Sequence, residues 1–374
     1  MSVSDMGSVE VLVVGPASKE TGGIARYIAA QVSYLPRTVR TRVYDVAPAS
    51  DGTGAWWLTK EVFRAGLRAV RFPFQSRPDV VHVHTSHWRS FYLSSWFVLV
   101  ASYLWRRPVV LHVHGSEFDD FVERASRPSR LLLSRVFAAA AAVVVLSAYW
   151  RDVLRPVAGT TPLLVLPNAV DPDEYDPHFD VTPPHVAFVS NHVPRKGLRE
   201  FVDAVTACKR EGLDFRVTIA GRGPLSHFAE ALAETTPDVT YRGFVSEAAK
   251  RDLLAESSIY VLPTHAEGLP IAILEAMAGG NAIISTPVGS IPELVGAEGG
   301  ILVQPGDGEE LAAALGSLVA APETVRQMAE TNRRLVEQEY TWQGVAANLT
   351  ALYAGLAGGQ PVGETTETDP LVVE

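Results

Sequence analysis

Glu267 and Glu275 are the side chains of this 374-residue chain whose type and spacing most directly suggest chemistry. Seven residues separate them, and a helix start is expected between them. The apolar run 259–262, Ile-Tyr-Val-Leu, has the length and the β-branched and aromatic content of a buried strand. A short loop follows. A helix then starts near Pro270, a residue favoured in the first turn, and stops at Gly279-Gly280. Glu267 therefore lies in the loop at the mouth of the strand, and Glu275 about one and a half turns into the helix at ~3.6 residues per turn. Unpaired N–H groups and the dipole of such a helix start attract phosphate. A carboxylate on either side of an anion repels it, so each should face neutral groups. The hydroxyls of a sugar and of a ribose meet that requirement. The plainer alternative is a core-packing helix with a surface glutamate at each end.

The elements that must hold these residues alternate. Strands are expected at 9–15, 38–46, 79–84, 107–114 and 142–147, with a helix over 59–74; a second set of strands falls at 186–190, 216–220, 239–242, 259–262 and 282–285. Such alternation implies α/β architecture, parallel sheets covered on both faces, with ligands gathering at the strands' carboxyl ends. The first strand runs into a loop carrying Gly22 and Gly23, which lets backbone approach a ligand but lacks the G-x-G-x-x-G dinucleotide spacing. His84 and His114 fall at strand ends. The pairs His82/His84 and His112/His114 put side chains on one side of a strand and invite a metal reading. No further Cys, His or acidic cluster supports it, so no metal is expected, and His82 and His112 read as satisfied buried histidines. The Asp- and Pro-rich stretch 171–184 reads as a linker. Domains are expected at 1–178 and 179–341, then a helix at 342–357 and a disordered tail at 358–374.

The stretch 263–280, Pro-Thr-His-Ala-Glu-Gly-Leu-Pro-Ile-Ala-Ile-Leu-Glu-Ala-Met-Ala-Gly-Gly, resembles the signature of the retaining glycosyltransferases of family 4, the group 1 glycosyltransferases. The resemblance covers nearly the whole chain, strongest over 196–293. It implies the GT-B fold: two doubly wound, Rossmann-like domains facing a cleft, with the last helix crossing back to the first. It also implies transfer of a sugar, a hexose expected, from a nucleoside-diphosphate sugar to a hydroxyl acceptor with retention and without metal. On this resemblance the catalytic residues are His114, Lys196 and Glu267. Donor contacts would come from Gly22, Gly23, Gly221, Gly223, Val245 and Glu275, and from the helix start at Gly268, Leu269, Pro270 and Ile271. The family's arginine position is Asn191 here; Arg195, beside Lys196, could supply the charge, although strand-like alternation points it elsewhere. Asn191 and Arg195 are both carried as donor-site candidates. The donor is a substrate, so no cofactor is expected. Two alternatives on the same fold are a sugar-nucleotide epimerase or hydrolase, and a non-catalytic sugar-nucleotide-binding partner.

Composition narrows the partners. One cysteine, Cys208, excludes an internal disulfide and fits a reducing compartment. The net charge of −10 and the absence of a binding motif argue against nucleic acid. The charge is uneven: residues 1–180 hold 19 Lys+Arg against 17 Asp+Glu, the remainder 13 against 25. Arg64, Arg68 and Arg71 recur at helical spacing, either as a solvated face or as a face drawn to anionic lipid headgroups or a phosphate-bearing acceptor. The sixteen-residue uncharged run 90–105 is too short to span a bilayer and reads as a buried helix. With no basic, apolar leader at the start, a cytoplasmic enzyme is expected, working at the inner face of the membrane on a carbohydrate or lipid-linked acceptor.

Overall fold

A computed structural model describes residues 8–17, 22–47 and 54–363. Two units emerge, one formed by 1–167 with 342–374 and the other by 168–341. In the first, the apolar runs become β1 (Val9–Gly15), β2 (Val39–Asp45), β3 (Val80–Thr85), β4 (Val109–Val113), β5 (Ala142–Val145) and β6 (Leu163–Val165). They form one parallel sheet in the order β2-β1-β3-β4-β5-β6. In the second, β7 (His185–Val189), β8 (Arg216–Ala220), β9 (Val239–Tyr241), β10 (Ile259–Leu262), β11 (Ala282–Ser285) and β12 (Gly300–Leu302) run parallel in the order β12-β11-β10-β7-β8-β9. Most inner strands are buried along their whole length, as both-face helix cover demands.

Strand order locates the binding positions before any side chain is considered. Each sheet grows in one direction from its first strand and then in the other, so crossovers diverge between β1 and β3 and between β7 and β10. The loops leaving the strands part there and open a crevice at the carboxyl ends. The loop with Gly22 and Gly23 leaves β1. Lys196 follows β7 and Glu267 follows β10.

Four expectations need correction. The first unit ends at Pro167, not 178. Residues 168–178 join the second unit because Val170 pairs with Thr341 and Arg333 donates to the carbonyls of Pro172, at 2.9 Å, and of Tyr175. Run 90–105 is not a buried helix. It is the α-helix Arg89–Leu99 continuing as a π-helical segment, Val100–Leu104, with Leu93 53 % and Tyr103 64 % exposed. β6 and β12 escaped notice because three-residue edge strands carry no readable period. The last helix, Trp342–Ala357, packs in the first unit, where Trp342 stacks on Tyr34 and the Gln31 amide donates to the Tyr353 hydroxyl at 2.7 Å. Of the tail expected to be disordered, 358–363 are ordered, and 364–374 lie outside the described residues.

Candidate functional site

Beyond β7 the chain makes a 3-10 turn, Pro194–Lys196, and enters the helix Leu198–Arg210 through Gly197 at φ +71°. A Cβ on Gly197 would lie 2.0 Å from the Pro263 carbonyl oxygen, so only glycine lets this loop touch the one leaving β10. That contact brings the Lys196 ammonium onto Glu267 Oε1, which also accepts from the Thr264 hydroxyl at 3.1 Å. Glu267 is buried, and its backbone is fixed from behind by Gly289, whose φ of +56° places a hypothetical Cβ 2.0 Å from the Glu267 carbonyl.

Arg195 does not point elsewhere. In a 3-10 turn successive side chains are only about 120° apart, not on opposite faces as in a strand. Its guanidinium donates to the Ala266 carbonyl at 2.6 Å and lies 3.8 Å from Glu267 Oε2. Two cations thus meet one carboxylate.

The helix Ile271–Ala278 begins at Pro270 with no side-chain cap. The Pro270 carbonyl accepts from Ile273 at 3.1 Å, and the Leu269 carbonyl is held by the Asn168 amide at 2.6 Å. The N–H groups of the opening turn are therefore not consumed by a cap of the usual kind. Glu275, inside this helix, pairs with Lys250 at 2.6 Å, and Lys250 also meets Glu247 at 2.7 Å. Lys250 was missed. The signal for it was a lysine on the buried side of Glu247–Ala255, three and four residues before Leu253 and Leu254. Burial, then the charges of Glu275 and Glu267, push the Tyr260 hydroxyl well above its ordinary value; both carboxylates therefore flank β10.

The remaining candidates of this unit gather at neighbouring strand ends. Asn191 is exposed just past β7. Gly221 donates to the Gly243 carbonyl at 2.7 Å, and Gly223 accompanies His192, a buried ring missed in the sequence, which bonds Ser226 Oγ at 3.0 Å. Val245 is half-buried in the loop after β9.

Among the described residues, the first unit's crevice gathers glycines and histidines. Gly22 precedes the helix Gly23–Tyr34, whose start also lacks a side-chain cap, and a Cβ at Gly22 or Gly23 would meet open space. Beside it, β3 and β4 align their histidines. His84 Nδ1 and His114 Nε2 lie 2.9 Å apart, and His82 Nε2 and His112 Nδ1 3.3 Å. His82 is satisfied on both nitrogens, its Nδ1 lying 2.5 Å from the Tyr353 hydroxyl. His112 is only half satisfied: among the described residues its Nε2 has no partner, nor has His84 Nε2. Burial holds all four rings well below the usual histidine range, His82 and His114 at about 3, so the cluster is neutral near pH 7.

Ring nitrogens of His82, His84 and His112 lie within 4.8 Å of one another, close enough to raise the metal question again. The donor set fits an ion poorly. The His82 and His84 rings stack at 4.3 Å and 7°, so their in-plane lone pairs run side by side and one ion can lie in the plane of only one ring.

Two six-stranded parallel sheets covered by helices are the architecture of the GT-B fold. Comparison with known proteins agrees. Residues 9–174 match the profile of Glycosyltransferase Family 4 and residues 183–321 that of Glycosyl transferases group 1. The chain belongs to this family of enzymes. It is 30% identical over 262 residues to MMP alpha-(1->4)-mannosyltransferase of Mycolicibacterium hassiacum, a match covering 68% of this chain and 61% of that protein. It is 27% identical over 382 residues to the GDP-mannose-dependent alpha-(1-6)-phosphatidylinositol monomannoside mannosyltransferase of Mycolicibacterium smegmatis, covering 92% of this chain and 98% of that one. Among solved structures, sucrose-phosphate synthase from Thermosynechococcus elongatus superposes with a TM-score of 0.73 at 17% identity, over 94% of this chain and 100% of that one. Anabaena HepE in complex with UDP and glucose superposes at 0.66, also at 17% identity, over 91% and 98%.

Proposed function

We propose that this glycosyltransferase moves a hexosyl group from a nucleoside-diphosphate sugar to a hydroxyl of a carbohydrate or lipid-linked acceptor, with retention at the anomeric carbon. The observation that carries the reading is the Lys196–Glu267 pair beside the uncapped helix start at the β7/β10 divergence. An arriving diphosphate competes with Glu267 for Lys196, and the carboxylate released turns to the neutral sugar hydroxyls. Lys196, the backbone N–H groups of the uncapped helix start around Leu269 and Ile271, and Arg195 in place of a cation at Asn191 then face the charge that grows as the anomeric C–O bond breaks. Fixed donors of this kind need no reorganisation during reaction. The acceptor oxygen bonds to the anomeric carbon on the face the diphosphate leaves, and the acceptor proton passes to the departing phosphate oxygen. Glu275 takes the ribose hydroxyls, and the neutral His114 imidazole hydrogen-bonds a sugar hydroxyl.

No metal takes part in this reading, since protein cations meet the diphosphate. The mannosyltransferase relatives favour mannosyl transfer, and the phosphatidylinositol-directed relative favours a lipid acceptor at the inner face of a membrane. Ligand-observed NMR with UDP-, GDP-, dTDP- and ADP-sugars tests the core of the proposal. Selective binding of one donor that is lost in Lys196→Ala and unaffected by EDTA supports it; failure to bind any donor overturns it.

A further inference from the structure

The helix Ala55–Arg71 leaves an apolar stripe in solvent. Trp56, Phe63 and Val70 recur every seven residues, a drift of only ~20° per step on an α-helix, and so form one stripe. They are 73%, 66% and 65% exposed, and Phe74 in the 3-10 turn that follows is 84% exposed. The side facing the protein is mixed: Trp57, Ala65 and Ala69 are half-buried there beside Glu61, whose side chain is 11% exposed, and Arg68, whose guanidinium donates to the Val46 carbonyl and whose own carbonyl accepts from the Tyr44 hydroxyl at 2.6 Å. A helix that merely covered the sheet would bury its apolar stripe and expose its charges. Next to the stripe run Lys60, Arg64 and Arg71, and Glu61 is the helix's only carboxylate.

The surface continues onto the neighbouring segment. Trp96 Nε1 donates to the Ala69 carbonyl at 3.0 Å, joining Arg89–Leu99 to this helix, and Leu93, Trp96, Tyr103 and Leu104 are all exposed around that seam. No helix among the described residues is long and apolar enough to cross a membrane.

We propose that this face, the Trp56–Phe63–Val70 stripe with its row of cations and the Trp96–Tyr103 shoulder, docks onto the surface of an anionic phospholipid bilayer. The aromatic and aliphatic side chains enter the headgroup–acyl boundary while Lys60, Arg64 and Arg71 meet phosphates, the division of labour of an interfacial helix. The inference rests on the membrane placement proposed above and names the surface responsible.

Sedimentation of the purified full chain with phosphatidylcholine vesicles, with and without phosphatidylglycerol, tests it. The expected result is binding that requires the anionic lipid, weakens with added salt, and falls roughly tenfold or more in the triple variant Trp56→Ser, Phe63→Ser, Val70→Ser. Charge reversal at Lys60, Arg64 and Arg71 should reduce it likewise, while Leu131→Ser, an exposed apolar position on another helix, should not. Circular dichroism checks that each variant stays folded. Donor binding by NMR should be unchanged throughout, so loss of docking and loss of the transferase reading are separately visible. The proposal is overturned if the wild-type chain does not sediment with anionic vesicles, if the triple variant sediments like wild type, or if light scattering shows the stripe holding two copies of the chain together instead.

Discussion

The β1/β3 crevice of the first unit and the β7/β10 crevice of the second occupy the same place in two sheets of the same construction, and they carry opposite chemistry. In the first, four imidazoles from β3, β4 and the residue just past β4 stack in a space where burial keeps them neutral. In the second, lysines, an arginine and two glutamates are paired, with two cations on Glu267. Topology decided where each crevice opens, while side chains decided what it can hold. A crevice of neutral donors and acceptors suits hydroxyls. One with two cations on a single carboxylate beside an uncapped helix start suits a diphosphate.

The contrast breaks most sharply at Lys196. Lys196→Ala removes a fixed cation, and kcat/KM for transfer should fall by ~100- to 1000-fold, the usual consequence of losing one preorganised donor. It also leaves Glu267 buried without its main partner, at a stability cost of roughly 3 kcal/mol. Adding Glu267→Gln should return most of the stability measured by chemical denaturation and none of the activity. If the single variant keeps wild-type turnover, the charged crevice is not the donor site.

The neutral crevice is tested by pH. The unfolded chain protonates its histidines near 6.5, whereas folded His82 takes a proton only at about 3. Its share of stability is therefore intact above pH 6.5 and drains away as pH falls toward 3, at ~1.4 kcal/mol per pH unit. His84, His112 and His114, shifted the same way, steepen the fall. Denaturation between about pH 5.5 and 4.5 should show this slope, and His82→Gln should reduce it by about one proton. An unchanged slope would mean that His82 charges in place.

How much of this was legible without coordinates differs between the crevices. Lys196-Gly197, the stop at Gly279-Gly280 and the apolar strands are local signals, because turn geometry and burial act on neighbours in sequence. The Glu275–Lys250 pair joins residues 25 apart across two helices, and only the oddity of a lysine on a buried helical side hinted at it. Arg195 was misdirected because a strand's alternation was extended into what is a 3-10 turn. The histidines were visible singly, but their pairing depends on strand register, which places His84 opposite His112 and is not written in either segment alone. The helix 55–71 shows a clear stripe in sequence. Periodicity says that a helix has two faces, not which one the protein keeps.

A finer test compares the two carboxylates of the charged crevice. Glu275→Gln keeps size but halves the hydrogen-bond acceptance offered to ribose hydroxyls, so donor affinity by calorimetry should weaken by about tenfold, in keeping with one bond to a charged group. A donor analogue lacking both ribose hydroxyls should bind wild type and variant alike. Equal losses for both donors would move Glu275 out of the ribose role and into holding Lys250.

The smallest effect is expected in the neutral crevice. His84 Nδ1, 2.9 Å from His114 Nε2, must take the complementary donor or acceptor role and so fixes which nitrogen of His114 carries its proton. His84→Phe keeps a ring in the stack but lets His114 choose either tautomer. A loss of one neutral hydrogen bond is worth about 1 kcal/mol, so kcat should drop by roughly fivefold with donor KM unchanged, and His84→Asn, which restores a polar partner, should recover part of it. A rise in donor KM with kcat intact would instead place His84 in ground-state binding, and the two crevices would then differ less in role than in charge.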